Sequence, residues 1–365
     1  MKLFKSLLVA PATLGLLAPM SATANEVTFS DFAPAEELAI TNSRVDGLEA
    51  RLNNFEAGSF SETTTASFGV DFVVGAVESG TGLGTEKTTF DYQMGIGLET
   101  SFTGEDSLGI TIDIGGGEAN TSSDTTKQTS VGAIMGLDAT QDVMTVDGVA
   151  YSFPLGGATV LVGDNTDISS VFTGACSYSA FTDYMSNCGT GNSVGVSGNG
   201  ATAAASYAFD GGFSVAGGLS SSPDGILTKE GTDTFGLEAA YTADSYGVAV
   251  AYVDAQATTY WGINGTYAFD FATISAGVES EDTESASTKT GFFVGLSFPE
   301  VGAGSVEIGV ATNGNFDDST AETYIYEASY AYPVNDGMTI TPGVYTKEKS
   351  GDDETGVIVK TSFSF

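Results

Sequence analysis

Carboxylates are the side chains best able to do chemistry in this 365-residue chain. It has 47 Asp and Glu against 11 Lys and Arg, and no histidine. Asp71, Asp91, Glu99, Asp113, Glu238, Glu307 and Glu327 each fill a polar slot in a run where apolar and polar residues alternate. Period-two alternation puts such residues on one face of a strand. Carboxylates on a face that lines a water-filled path attract cations and repel anions. Lys360 is the clearest base in the same register. The competing reading is that these charges only solvate the wall.

Other chemistry is excluded by composition. Without histidine there is no Ser-His-Asp or Cys-His catalysis and no His-ligated metal, so no enzyme is expected. The acidic pairs Asp317-Asp318 and Asp352-Asp353 fall in expected loops without further ligands at a recognisable spacing, so no metal is expected. Glycines 115–117 precede no helix that could cradle a phosphate, and no cofactor is expected. A net charge of −36 repels nucleic acid. Cys176 and Cys188 flank an 11-residue stretch in a chain that reads as exported, which points to a disulfide. The chain-entropy view gives such a crosslink about 3 kcal/mol.

The elements that must position these residues are strands. Phe90, Tyr92, Met94, Ile96 and Leu98 oppose Asp91, Gln93, Gly95, Gly97 and Glu99; Phe235, Leu237, Ala239 and Tyr241 oppose Gly236, Glu238, Ala240 and Thr242. The 23 Phe and 15 Tyr exclude a disordered acidic chain, because so much apolar surface needs cover. A soluble sandwich also alternates, but three features favour a transmembrane antiparallel β-barrel over residues 58–365. The runs last about ten residues, enough for a tilted crossing of a bilayer. Aromatics stand at their ends, and the chain closes on the alternating Val357, Val359, Thr361, Phe363, Phe365. Counting back from that end gives 16 strands, with 18 as the alternative, because residues 129–163 hold two to four. Within them Asp147-Gly148 is a two-residue hairpin signal. The long segment 164–199 either folds into the barrel as a constriction or caps it from outside.

Residues 1–24 read as a secretory signal: Lys2 and Lys5, an apolar stretch, then Ala22-Thr23-Ala24. A periplasmic segment, 25–57, follows, with a helix over 34–57 starting at Pro34. Leu38, Val45, Leu48, Leu52 and Phe55 form its heptad seam, which suits either a short parallel coiled coil between identical chains or one helix packed on the main domain.

Arg44-Val45-Asp46-Gly47-Leu48-Glu49-Ala50-Arg51, then Phe60-Ser61-Glu62-Thr63-Thr64-Thr65, resembles the helix-to-strand junction of cyanobacterial outer-membrane porins. Tyr151-Ser152-Phe153-Pro154-Leu155-Gly156 is similar to a strand end of the same family. That family belongs with the carbohydrate-selective, iron-uptake type of porin. The resemblance implies a homotrimeric passive channel in outer-membrane lipid for small hydrophilic solutes. It usually carries a surface-layer-homology domain before the helix. Asn25 to Glu37 is too short for one, so cell-wall anchoring by that route is not expected.

Overall fold

The structure, a computed structural model, describes residues 64–79, 86–116, 130–185, 200–222, 224–228, 231–319 and 321–365. The expected signal, the helix 34–57 with its seam, and Cys188 lie outside the described residues.

Sixteen strands run in order: β1 Thr64–Ser79, β2 Glu86–Thr100, β3 Ser107–Gly115, β4 Thr145–Leu155, β5 Ala158–Thr166, β6 Gly200–Ala208, β7 Phe213–Ser221, β8 Asp233–Thr242, β9 Tyr246–Ala255, β10 Thr258–Ala268, β11 Thr273–Thr283, β12 Lys289–Val301, β13 Gly304–Thr312, β14 Tyr324–Asn335, β15 Met338–Lys347 and β16 Glu354–Ser364. Each pairs antiparallel with the next, and β16 returns to β1, from Gly69 opposite Ser364 to Ser79 opposite Glu354. A sheet closed in this way has no edge, so its backbone donors and acceptors are satisfied without water. Phe365 continues the closure: its N–H donates to the Phe68 carbonyl at 3.0 Å, and the Phe68 N–H donates to its carbonyl at 2.9 Å.

The two faces of the wall differ as the alternation requires. On β9, Tyr246, Val248, Val250 and Tyr252 are exposed, while Ala249, Ala251 and Val253 are buried. Leu237 is 65% exposed and its neighbour Glu238 is 5% exposed. The outside is thus apolar, the reverse of a soluble sandwich. Aromatic pairs collect at the end of the short turns: Tyr207 with Phe209, Phe213 with Tyr241, Tyr267 with Phe269, and Phe68 with Phe365. A girdle of aromatic rings at one rim, three of them tyrosines with a polar tip, fits a boundary between hydrocarbon and water.

The Asp147-Gly148 hairpin does not exist. β4 runs straight through both residues, and the register against β3 shifts between Thr111 and Ile112. The turn lies instead at Gly156-Gly157, with φ of 60° and 89°. Two consecutive positive φ values match the twist of a hairpin, and glycine adopts them without strain. The Asp-Gly pair fits a β-bulge equally well, since both features need a locally irregular strand.

Two segments between strands turn back onto the inner face. The first holds the short helix α1, Val131–Ile134; the second holds a 3-10 turn, Ile168–Val171. Their apolar side chains build small cores inside the barrel. Val131, Ile134 and Phe181 pack with Val73, Val77, Tyr345 and Ile358. Ile168 packs with Ala204, Ala251 and Val253, and Tyr178 and Met185 pack with Phe293, Ala311 and Ile325.

Candidate functional site

The site is the belt that residues 167–185 form on the inner wall, with the polar side chains that hold it. An extended segment without strand partners leaves its backbone amides in need of acceptors. The wall supplies them, mostly as carboxylates. Glu327, 3% exposed, accepts from the Phe181 N–H at 2.6 Å, the Thr182 N–H at 2.9 Å, the Thr182 hydroxyl at 2.7 Å and the Tyr178 hydroxyl at 2.9 Å. Glu238 accepts from the N–H groups of Thr173 and Gly174. Between these two anchors, Asn264 Oδ1 accepts from the Ala175 N–H at 2.8 Å, and Ser275 Oγ accepts from the Ser177 N–H at 3.2 Å. Farther along, Glu354 takes the hydroxyls of Tyr184 at 3.1 Å and Tyr345 at 2.9 Å, and its other oxygen lies 2.6 Å from Lys349 Nζ.

Glycines on the wall make room for the belt. A β-carbon built on Gly295 would stand 2.4 Å from the Tyr178 ring, and one on Gly343 would stand 2.4 Å from the Phe181 ring. Burial, then the Glu327 charge, hold the Tyr178 hydroxyl protonated far above its usual range, so it stays a donor. At the far end, Lys347 Nζ sits 3.7 Å from the centre of the Tyr184 ring, a cation–π contact.

The α1 segment is held in the same manner. The Gly132 N–H donates to Asp91 at 2.8 Å, Val131 N–H to Thr89 Oγ1 at 3.0 Å, and Asp138 N–H to Gln93 Oε1 at 3.0 Å. The Asp183 N–H donates to the Ile134 carbonyl at 2.8 Å and ties the two segments together.

The other expected site residues stand apart from the belt. Asp71 accepts from Ser362 Oγ, and Glu307 from Ser297 Oγ. Glu99 accepts from Ser107 Oγ at 2.7 Å. Asp113 stands near Asp138 and Asp147. Lys360 is paired in register with Val73. Cys176 lies in the belt among the neighbours of the Tyr178 core. Sequence reasoning missed Asn264, Ser275, Glu354, Asp138, Asp147 and the Lys347–Tyr184 contact. Asn264 and Ser275 were readable by parity, because they alternate with the outward Ile263 and Ile274. Glu354 was readable in the same way, since it shares its parity with Lys360 and alternates with the outward Val357, whereas Asp138 and the Lys347–Tyr184 contact depend on loop paths and Asp147 on the bulge in β4.

No protein-family model matches the chain. An uncharacterised protein of Nostoc sp. is 32% identical over 157 aligned residues, covering 38% of this chain and 27% of that one. The chain thus spans about a quarter of the length of that relative. Among solved structures, OprB of Pseudomonas putida superposes with a TM-score of 0.65 at 13% identity, over 83% of this chain and 94% of that one. A mutant of the Rhodopseudomonas blastica porin superposes with a TM-score of 0.54 at 18% identity, over 83% of this chain and 100% of that one. At such identities the likeness is one of fold: a porin-type barrel of 16 antiparallel strands.

Proposed function

We propose that the chain is an outer-membrane porin through which small hydrophilic solutes and ions diffuse passively. The observation that carries this reading is the barrel itself, apolar outside and polar inside, with a belt narrowing its interior. Its fold neighbours are porins, and one of them comes from work on asymmetric conductivity in engineered proteins. Asp71, Asp91, Glu99, Asp113 and Glu307 line the interior beside Lys360, and Glu238 and Glu327 stand on the same face beneath the belt. With so large an excess of acid, the pore prefers cations. The effect weakens as salt shortens the Debye length.

The rest of the reading follows from sequence. Residues 1–24 direct export and are removed. The helix 34–57 joins three copies through Leu38, Val45, Leu48, Leu52 and Phe55. Cys176 and Cys188 pair and close the 11-residue stretch between them. Sugars and iron complexes are the alternative solutes suggested by the porin resemblance. A second reading, an envelope-spacing protein with little flux, draws on the apolar cores inside the barrel.

The deciding experiment is the purified protein in planar bilayers under a potassium chloride gradient. Stepwise openings with a reversal potential toward potassium are expected. A silent bilayer overturns the channel, and a reversal potential toward chloride overturns the cation preference.

A further inference from the structure

The inner wall is covered unevenly. From β6 to β16 it carries the belt: Ile168 lies on Ala204, Ala251 and Val253, Thr173 on Glu238, Ala175 on Asn264, Tyr178 on Phe293 and Glu327, and Phe181 on Tyr345 and Ile358. β1 and β2 are covered by α1 through Val73, Val77, Thr89 and Asp91. Among the described residues, β3 and β4 carry no such apolar cover. Thr111 and Asp147 remain exposed there.

This bare wall is also where uncompensated charge collects. The bulge opposite Thr111 sets an extra residue into β4, and Asp147 Oδ2 comes within 3.5 Å of Thr111 Oγ1. Thr111 shares its face with Asp113. Asp138, brought in by the segment after α1, acts on the same carboxyls. Burial, then the charge of Asp147, raise the Asp138 carboxyl above its ordinary value. By contrast, Glu238 and Glu327 are buried under the belt, their oxygens facing its amides. Residues 167–185 include no Lys or Arg, and Lys360 stands on the covered side, paired with the fully buried Val73.

From this uneven cover we infer that the water-filled path runs along the β3–β4 wall, and that Asp113, Asp138 and Asp147 set its ion preference. Glu238 and Glu327 are positioning residues that hold the belt against the opposite wall. This inference rests on the channel reading and narrows it to one side of the barrel. A cation that passes about 7 Å from one negative unit charge in water gains a factor of about three in local concentration, and an anion loses as much. Three such charges in one stretch of wall therefore dominate the selectivity at low salt.

The test compares three variants with wild type in planar bilayers, at low salt for selectivity and at 1 M for conductance. The triple variant Asp113→Asn, Asp138→Asn, Asp147→Asn is expected to lose at least about threefold in the potassium-to-chloride permeability ratio. The pair Glu238→Gln, Glu327→Gln is expected to keep that ratio while its conductance becomes larger or noisier. Thr111→Lys, which adds a base to the same wall without removing an acid, is expected to lower the ratio by at least about threefold, because the added charge depletes potassium and enriches chloride together. A conducting triple variant with the wild-type ratio overturns the inference, as does a glutamine pair that loses as much selectivity as the triple. If the triple variant does not insert, an unchanged ratio in Thr111→Lys overturns it alone. A silent wild-type protein fails the channel reading, and this inference falls with it.

Discussion

Replacing Glu327 by alanine should release the belt while leaving the barrel intact. The carboxylate accepts four hydrogen bonds, two of them from the backbone N–H groups of Phe181 and Thr182. The Tyr178 and Thr182 hydroxyls can rotate toward other acceptors, but the two amides cannot. Each buried amide left without a partner costs about 1–3 kcal/mol, so the attached state loses about 2–6 kcal/mol relative to a detached one. Since about 1.4 kcal/mol is a factor of ten, even the lower figure raises the detached population about thirtyfold. The ladders of β13, β14 and β15 do not involve this side chain, so the wall keeps its stability. Limited proteolysis should therefore cut within 173–185 at least tenfold faster in Glu327→Ala, with cleavage elsewhere and the heat-induced shift of the barrel on gels unchanged. Single-channel records should show larger or more fluctuating openings. Glu327→Gln retains one acceptor oxygen and should fall between. Wild-type cutting rates and quiet wild-type openings in Glu327→Ala would refute the clamp.

The other predictions rest on separate contacts. Gly343→Ala would set a β-carbon 2.4 Å from the Phe181 ring, and relieving that overlap should weaken the belt by about 1–3 kcal/mol, read as faster proteolysis within 173–185. Leu237→Arg puts a charge on the exposed apolar face and should cost about 2–4 kcal/mol of folding stability in bilayers; unchanged folding into vesicles would show that this face does not meet lipid. Asp106, in the turn between β2 and β3, has its carboxyl held well below the usual range, first by the Tyr151 hydroxyl and then by Thr103 and Ser101. A depressed folded-state value stabilises the turn above the ordinary carboxylate range, and the contribution is lost as pH falls below it. Amide exchange at Phe102 and Thr103, corrected for intrinsic pH dependence, should therefore be level near neutrality and accelerate in acid, and Asp106→Asn should flatten that response.

Period-two alternation determined the strands and their two faces from sequence alone, because a strand's faces see different solvents whatever the strand pairs with; the run lengths, the aromatic ends and the closing strand then favoured a barrel over a sandwich. The run Phe235 to Thr242 names its lipid face and its inner face without any knowledge of β7 or β9. Counting backward from the terminal Val357–Phe365 run left 16 or 18 strands, with 16 preferred, and the structure decides for 16. Local signals stopped at Asp147-Gly148, where a hairpin and a bulge make the same demand on the backbone and only the partner strand β3 decides between them. The candidate site divided in the same way. Parity placed Glu238 and Glu327 on the inner face, but their partners come from residues 65 and about 146 positions away in the chain. No spacing rule reaches that far. Whether a carboxylate faces water or the amides of a folded-back segment depends on the path of 167–185 across the barrel. That path is set by glycine gaps such as Gly295 and Gly343, and by the cores of Ile168, Tyr178 and Phe181, which exist only once the barrel has closed.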